Sequence, residues 1–242
     1  TWSSNEKTAV EEALGMSFAG KRALVCMKHV GMNVAADAFV NSAMTGANGG
    51  LVVVAADDPS MHSSQNEQDS RFYGKFALVP TFEPSTQQEA YDMAKAAFEL
   101  SERFRIPVLM RLTTRMAHSR AVVEVTEPRA ENELHAPADT RRWVLMPGNS
   151  RVRYKGLLDD YARLEEAAAA SLFNAYAEGP DKRLGIIACG IAHNYVMENY
   201  PDGCPHPVLK LSQYPLPRDL VRRMASECQA LLVVEEGQPV VE

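Results

Sequence analysis

Cysteine is scarce in this sequence and never paired. Cys26, Cys189, Cys204 and Cys228 stand far apart, with no Cys-x-x-Cys step among them. That spacing excludes a thiolate cage for an iron–sulfur cluster within the segment and offers no disulfide framework. Cys26 and Cys189 fall in apolar runs, where thiols are expected buried, reduced and inert. The implied compartment is a reducing cytoplasm. Long apolar runs are missing too: none approaches the roughly 20 residues of a membrane span. No signal peptide opens the chain, which starts at Thr1 without a methionine. An excess of basic charge is the third absence. Lys and Arg number 25 against 31 Asp and Glu, a net charge of −6, whereas a nucleic-acid-binding chain wants a basic face. Neither a membrane nor a nucleic acid is an expected partner.

What is present is an alternation of strands and helices. With 242 residues, 46% of them hydrophobic, the chain can build one large core or two smaller ones. Val10, Ala13, Leu14 and Ser17 recur at helical spacing and mark the inner stripe of a first helix. Arg22–Met27 reads as a buried strand, Asn33–Ala43 as a helix that Gly46, Gly49 and Gly50 break. Leu51–Ala56 is apolar on both faces, as a doubly covered parallel strand must be. Ser64-x-x-Glu67 reads as a capping box opening a helix through Phe76, and Ser85-x-x-Gln88 as the start of another with Ala90, Met93, Ala94, Ala97, Phe98 and Ser101 inward. Pro107–Leu112 is the next strand. This rhythm predicts an α/β fold, a doubly wound parallel sheet.

Composition shifts after Thr126. Glu127–Arg142 is rich in Pro, Ala and charge without an apolar period and reads as a linker, followed by a single bridging helix over Lys155–Ala177. A second α/β unit follows: strands at Leu184–Cys189, Pro207–Leu211 and Ala230–Val234, and helices after Ala192 and over Pro217–Cys228. Three strands in some 60 residues make half of a doubly wound domain, so this unit reads as cut short. The expected organisation is residues 1–126, a linker and bridging helix over 127–180, and a partial domain over 181–242.

Two polar clusters follow strand ends, where open α/β sheets gather their ligands: Lys28-His29 and the stretch Asp57–Asn66. The first helix starts at the same edge, so Glu6, His29, His62 and Gln65 are expected to share a crevice. Glu6 precedes Val10 by one turn on the inner stripe, and a carboxylate aimed inward needs a partner. From local spacing alone, Ser3-x-x-Glu6 reads first as a capping box, with Glu6 reaching back to the Ser3 amide. Asp57-Asp58-Pro59 with His62 reads as turn and cap chemistry rather than a metal site. Arg111, Arg115, His118 and Arg120 form a basic cluster after the last clear strand of the first unit, suited to coenzyme A phosphates, a subunit contact or a solvated face. Gly190–Tyr195 reads as a tight βα turn, and Glu235-Glu236-Gly237 as a structural strand end or interface.

Asn5-Glu6-Lys7, Met27–Ala35 and the run Met61-His62-Ser63-Ser64-Gln65-Asn66-Glu67-Gln68-Asp69 together resemble the alpha subunits of indolepyruvate ferredoxin oxidoreductases, in their thiamine-diphosphate pyrimidine-binding domain. The resemblance is dense from Trp2 to about Arg120 and thinner beyond, where Val233–Pro239 also fits. It implies that residues 1–126 are the pyrimidine-binding domain and 181–242 the start of a transketolase-C-terminal-like domain. It implies oxidative decarboxylation of arylpyruvates with coenzyme A to aryl-acetyl-CoA and carbon dioxide, electrons passing to ferredoxin. In such enzymes a glutamate hydrogen-bonds the cofactor's N1′ and promotes the imino tautomer that deprotonates the thiazolium C2; Glu6 matches it by its Asn-Glu-Lys-x-Ala setting. His29 and Gly31 are the further cofactor candidates; His29, His62, Gln65 and Asn66 are those for substrate. Related pyruvate enzymes carry an arginine in the 57–66 loop that this stretch lacks. Magnesium and the iron–sulfur clusters are implied to be bound by other parts of the enzyme, so that this segment alone would be inactive. Implied partners are the remaining alpha-chain domains, a beta subunit and ferredoxin, in a dimer of heterodimers. A non-oxidative thiamine-dependent decarboxylase and a non-catalytic α/β binding subunit are the rival readings.

Overall fold

The structure is a computed structural model that describes residues 1–137 and 139–242. The chain opens with α1 (Glu6–Phe18), β1 (Ala23–Lys28), α2 (His29–Val34), α3 (Ala36–Thr45) and β2 (Leu51–Asp57). Then come α4 (Arg71–Ala77), β3 (Thr81–Phe82), α5 (Gln87–Phe104), β4 (Val108–Thr113) and α6 (Thr114–His118). After irregular chain, α7 (Pro147–Ala169) leads to β5 (Ala175–Ala177), β6 (Gly185–Cys189), α8 (Ala192–Glu198), β7 (Val208–Leu211), β8 (Gln213–Tyr214), α9 (Arg218–Glu227) and β9 (Leu231–Val234). No described helix is long and apolar enough to cross a membrane.

Two sheets result. The first has the order β1-β2-β4-β3-β8, parallel except for β8. The second runs β5-β7-β6-β9, parallel except for β5. The apolar run of β2 divides by the two-residue period of a strand. Leu51, Val53 and Ala55 pack with Val10, Ala13 and Phe39 of α1 and α3, while Val52 and Val54 pack with Met93 and Ala97 of α5. Covered on both faces, the sheet matches the doubly wound expectation.

Four local readings are corrected. The N-cap of α1 is Asn5, whose Oδ1 accepts from Thr8 N at 3.0 Å, while Ser3 Oγ donates to Glu12 at 2.6 Å; the Ser3–Glu6 box does not form. Helix α5 is capped one residue later than Ser85, by Thr86, and Glu89 reaches back to Ser85 N at 2.6 Å. The bridging helix runs over Pro147–Ala169 instead of Lys155–Ala177, proline standing in its first turn, where no amide hydrogen is needed. Its last expected residues become β5 on the edge of the second sheet. Cys26 is exposed, because β1 ends the first sheet and turns Leu24, Cys26 and Lys28 outward; Cys189 is buried as expected.

Among the connections between the two sheets are helix α7, strand β8 and a buried charge network. Leu157 and Leu164 of α7 enter the core of the first sheet while the same helix touches α9. Strand β8 pairs with β3, and Asn174 holds that crossing. Its Nδ2 donates to Ala168 O and Gln213 O at 2.9 and 2.8 Å, and its Oδ1 accepts from Ser212 N and Gln213 N at 2.7 and 2.9 Å.

The third junction is a buried charge network. Arg111, read from sequence as part of a surface basic cluster, is 1% exposed, because β4 is an inner strand. Its Nε donates to Asp57 at 2.6 Å, Nη1 pairs with Glu83, and Nη2 donates to Glu236 O at 2.8 Å. Arg71, equally buried, pairs with Asp69, donates from Nη1 to Glu235 at 2.8 Å and from Nη2 to Gln238 O at 2.8 Å. Gly237 permits this approach: its φ is +111°, and a Cβ there would stand 2.7 Å from Asp69 Oδ2 and 2.9 Å from Arg111 Nη2. Glu235, as the sequence reading allowed, is an interface residue, and it also gathers the amides of Val240 and Val241.

Burial pushes the Asp57 carboxyl above its ordinary range despite Arg111. Burial also acts on Asp69, but the Arg71 hydrogen bonds and both guanidinium charges outweigh it and hold the carboxyl below its usual value. Removing one arginine would strand buried carboxylates, so Arg111→Met is expected to cost about 3–5 kcal/mol in urea unfolding. A lowered folded-state pKa adds stability above the unfolded value of 3.8, lost as pH falls below it. Asp69→Asn should therefore flatten the acid limb of stability measured between pH 7 and 3.

Candidate functional site

The site is built where α1, β1 and α2 meet. Asn5 caps α1 and so fixes Glu6 as its first helical residue, half-buried against α2. Its side chain lies on Gly31: a Cβ at position 31 would overlap Glu6 Cγ and stand 2.9 Å from both Cδ and Oε1. Only glycine admits this contact without displacing the carboxylate. Glu6 also lines a cleft of about 770 Å³ that runs along β1 past Ala9, Ala13, Met16, Leu24 and Cys26.

His29, the first residue of α2, is fully buried, and its Nε2 lies 3.0 Å from Asn66 O. A carbonyl oxygen only accepts, so Nε2 carries a hydrogen. Nδ1 is withdrawn from solvent and has no protein partner. The bond ties the 57–68 loop to α2 through the Asn66 main chain; the Asn66 side chain instead accepts from Gln68 Nε2 at 3.2 Å.

The loop's shape comes from its acids. Asp57 accepts from Ser70 N at 2.8 Å as well as from Arg111. Asp58 accepts from Thr114 Oγ1 at 2.7 Å, Ser63 N at 2.7 Å and His62 N at 3.2 Å. The Thr114 hydroxyl, foremost among these donors, holds the Asp58 carboxyl well below the usual carboxylate range. Both acids thus serve as turn and cap acceptors. No cluster of three or more potential metal ligands occurs among the described residues. The Ser64-x-x-Glu67 capping box is not formed: Glu67 accepts from Ser60 N at 3.0 Å, Ser60 and Met61 take left-handed φ values of 65° and 56°, and the helix waits until Arg71. Asp58 had already taken the amides of His62 and Ser63.

Of the six candidates, the structure brings Glu6 to Gly31 and His29 to the Asn66 backbone. Gln65 is exposed on the loop. His62 faces a neighbouring cleft with Thr114, Arg115, His118, Ser119 and Glu236. Sequence reasoning missed Arg71, Glu83 and the role of Glu236. Asp69 apart, two residues before Arg71, the partners that give these residues their place lie 28 to 167 residues away, where no local spacing announces them.

The sequence profile of the family described as "Pyruvate flavodoxin/ferredoxin oxidoreductase, thiamine diP-bdg" matches residues 3–154. Curated relatives named indolepyruvate oxidoreductase subunit IorA align over the whole chain. That of Archaeoglobus fulgidus is 46% identical, with 39% of its own length covered. That of Methanothermobacter thermautotrophicus is 44% identical, with 40% covered, and that of Thermococcus kodakarensis 41% identical, with 39% covered. The chain therefore spans about two-fifths of the length of these relatives. Among solved structures, the fold is similar to a 2-oxoglutarate:ferredoxin oxidoreductase from Magnetococcus marinus, solved with 2-oxoglutarate, coenzyme A and succinyl-CoA bound. The TM-score is 0.72 at 12% identity, over 96% of this chain and 49% of that one. A split-gene transketolase in an inactive β4 tetramer is similar at a TM-score of 0.54 and 17% identity, over 97% of this chain and 64% of that one. By the profile match, which covers more than half of its residues, the chain belongs to the thiamine-diphosphate-binding family of pyruvate flavodoxin/ferredoxin oxidoreductases.

Proposed function

We propose that the chain is part of a thiamine-diphosphate-dependent oxidoreductase that converts arylpyruvates, indolepyruvate first among them, with coenzyme A to aryl-acetyl-CoA and carbon dioxide. The C–C bond to the carboxylate breaks to release carbon dioxide, two electrons pass to two one-electron ferredoxins, and the acyl carbon forms a thioester with the coenzyme A thiol, whose proton is released. The name shared by the curated relatives supports the substrate and the oxidoreductase class. Residues 1–126 would be the pyrimidine-binding part and 181–242 the beginning of the next domain. The remaining chain, a second subunit and the ferredoxin would supply magnesium binding and the clusters, in a cytoplasmic assembly.

The observation that carries this reading is the Glu6–Gly31 contact. An aminopyrimidine needs a carboxyl group at its ring nitrogen and room for a flat ring beside it. A helix-end carboxylate resting on an obligatory glycine fits both demands. His29 supports the same place from behind: its buried ring meets the Asn66 carbonyl and so holds the 57–68 loop against α2. When bound, thiamine supplies the electron sink that decarboxylation of a 2-oxo acid requires. Glu6 holds and shares a proton at the pyrimidine N1′, Gly31 leaves that carboxyl its position, and His29 fixes the 57–68 loop over α2.

The test is anaerobic dye reduction by the complete native complex with indolepyruvate, phenylpyruvate, pyruvate and 2-oxoglutarate, with and without coenzyme A. Coenzyme-A-dependent reduction with the aryl substrates is expected. Carbon dioxide release without dye reduction would indicate a non-oxidative decarboxylase instead, and turnover of no 2-oxo acid would overturn the enzymatic reading. Glu6→Gln should lower kcat by about 10²–10⁴, the range of a lost acid–base group. Gly31→Ala should weaken thiamine diphosphate binding at least about tenfold in fluorescence titration, since about 1.4 kcal/mol of displaced contact suffices.

A further inference from the structure

A carboxyl group on the first residue of a helix is held less firmly than one further in. The amide of such a residue has no intrahelical acceptor, and only its carbonyl joins the ladder. Glu6 is the first residue of α1, and residues 1–5 before it carry no regular structure. Two side-chain bonds tie this entry down. Asn5 Oδ1 accepts from Thr8 N at 3.0 Å, and Ser3 Oγ donates to Glu12 Oε2 at 2.6 Å. The main chain adds a third bond, Ala9 N to Asn5 O at 3.0 Å, which closes the first turn around Glu6.

The two side-chain bonds are not equivalent. Ser3 and Glu12 meet across an exposed surface, and neither lies in the turn that carries Glu6, so their bond restrains the incoming chain alone. Asn5 adjoins Glu6 directly. Its backbone is extended, with φ −160° and ψ 173°, and gives way to helix at the next residue. The side-chain oxygen sustains that change of direction, because it supplies the acceptor that Thr8 N lacks within the helix. Asn5 is exposed, so its side chain serves no core packing. The carboxyl it steadies has little freedom to shift without cost: Glu6 rests on Gly31, where a Cβ would already stand 2.9 Å from Oε1. A frayed first turn would lift Glu6 off that seat.

We propose that Asn5 is a positioning residue for Glu6: its cap oxygen holds the first turn of α1 so that the carboxyl stays on Gly31, aligned for the pyrimidine N1′. The inference rests on the thiamine reading of Glu6 and adds the residue that keeps the carboxyl in register. Misplacing a reacting group by about 1 Å costs up to about 10²-fold in rate. An exposed cap can therefore govern the reaction while adding little to the stability of the whole.

The test compares Asn5→Ala, Asn5→Ser and Ser3→Ala in the complete native complex. Dye reduction with indolepyruvate and coenzyme A gives kcat and KM, and titration of thiamine diphosphate into the cofactor-free complex gives its Kd. Alanine and serine differ by one oxygen, and serine caps as well as asparagine. Asn5→Ala should lower kcat roughly ten- to hundredfold while KM for the 2-oxo acid stays within about twofold. It should weaken thiamine diphosphate about fivefold, the effect of one lost cap. Asn5→Ser should restore both values, and Ser3→Ala should leave both unchanged. In a Glu6→Gln background Asn5→Ala should lower kcat no further, since the two residues act as a unit. An unchanged kcat in Asn5→Ala, a loss that serine does not restore, an equal loss in Ser3→Ala, or a loss that persists beside Glu6→Gln would each overturn the role of Asn5. The thiamine reading would survive any of these as long as Glu6→Gln alone lowers kcat. Glu6→Gln without effect would overturn that reading and this one together.

Discussion

Two arginines buried among four carboxylates are the constraint on which the rest of the molecule depends. Arg71 and Arg111 reach the end of β2 at Asp57, the chain before α4 at Asp69, the end of β3 at Glu83 and the chain after β9 at Glu235 and Glu236. Charges taken out of water are tolerated only when each finds partners in good geometry. The segments that carry those partners are therefore held in one arrangement. Since they belong to both sheets, the network sets how the second sheet sits on the first. Oily contacts of the same size would allow sliding; a guanidinium with five directed donors does not.

The loop between β2 and α4 inherits this rigidity. One of its ends is pinned by Asp57 on Ser70 and Arg111, its turn by Asp58 on three donors, and its crown by His29 on the Asn66 carbonyl. Loops rich in Ser, Asn and Gln are often left to solvent. In this one, Asp57, Asp58 and Glu67 gather the amides of Ser70, His62, Ser63 and Ser60 across a short span. The candidate site is thereby preorganised from behind: the residues that shape it are not those that face a ligand.

Much of the architecture was legible in the sequence. Strands β1, β2, β4, β6, β7 and β9 announce themselves as short apolar runs, and α5 by its inward stripe, because period and burial are local consequences of covering a sheet. Strands β3, β5 and β8 have two or three residues each, too few to leave a period. Caps were misplaced by one or two residues at Asn5 and Thr86, since several neighbouring hydroxyls and amides qualify and only backbone geometry chooses. The Glu6–Gly31 contact was not visible as such, although both residues stand in unusual local settings; it depends on how α1 crosses α2. Arg111 was misread because a basic residue at a strand end resembles a surface group until its partners, Glu83 and Glu236, arrive from distant segments. Linear spacing carries no information about such pairings.

The outward turn of β1 has a consequence of its own. This strand ends its sheet with a six-residue row whose outer side chains include Leu24 and Cys26, beside the exposed Trp2 and Met16. A sheet margin of that length, unblunted by proline or bulge, is a template for any extended chain that meets it. In isolation the molecule would be prone to self-adhesion there, and its accessible thiol would sit in the contact.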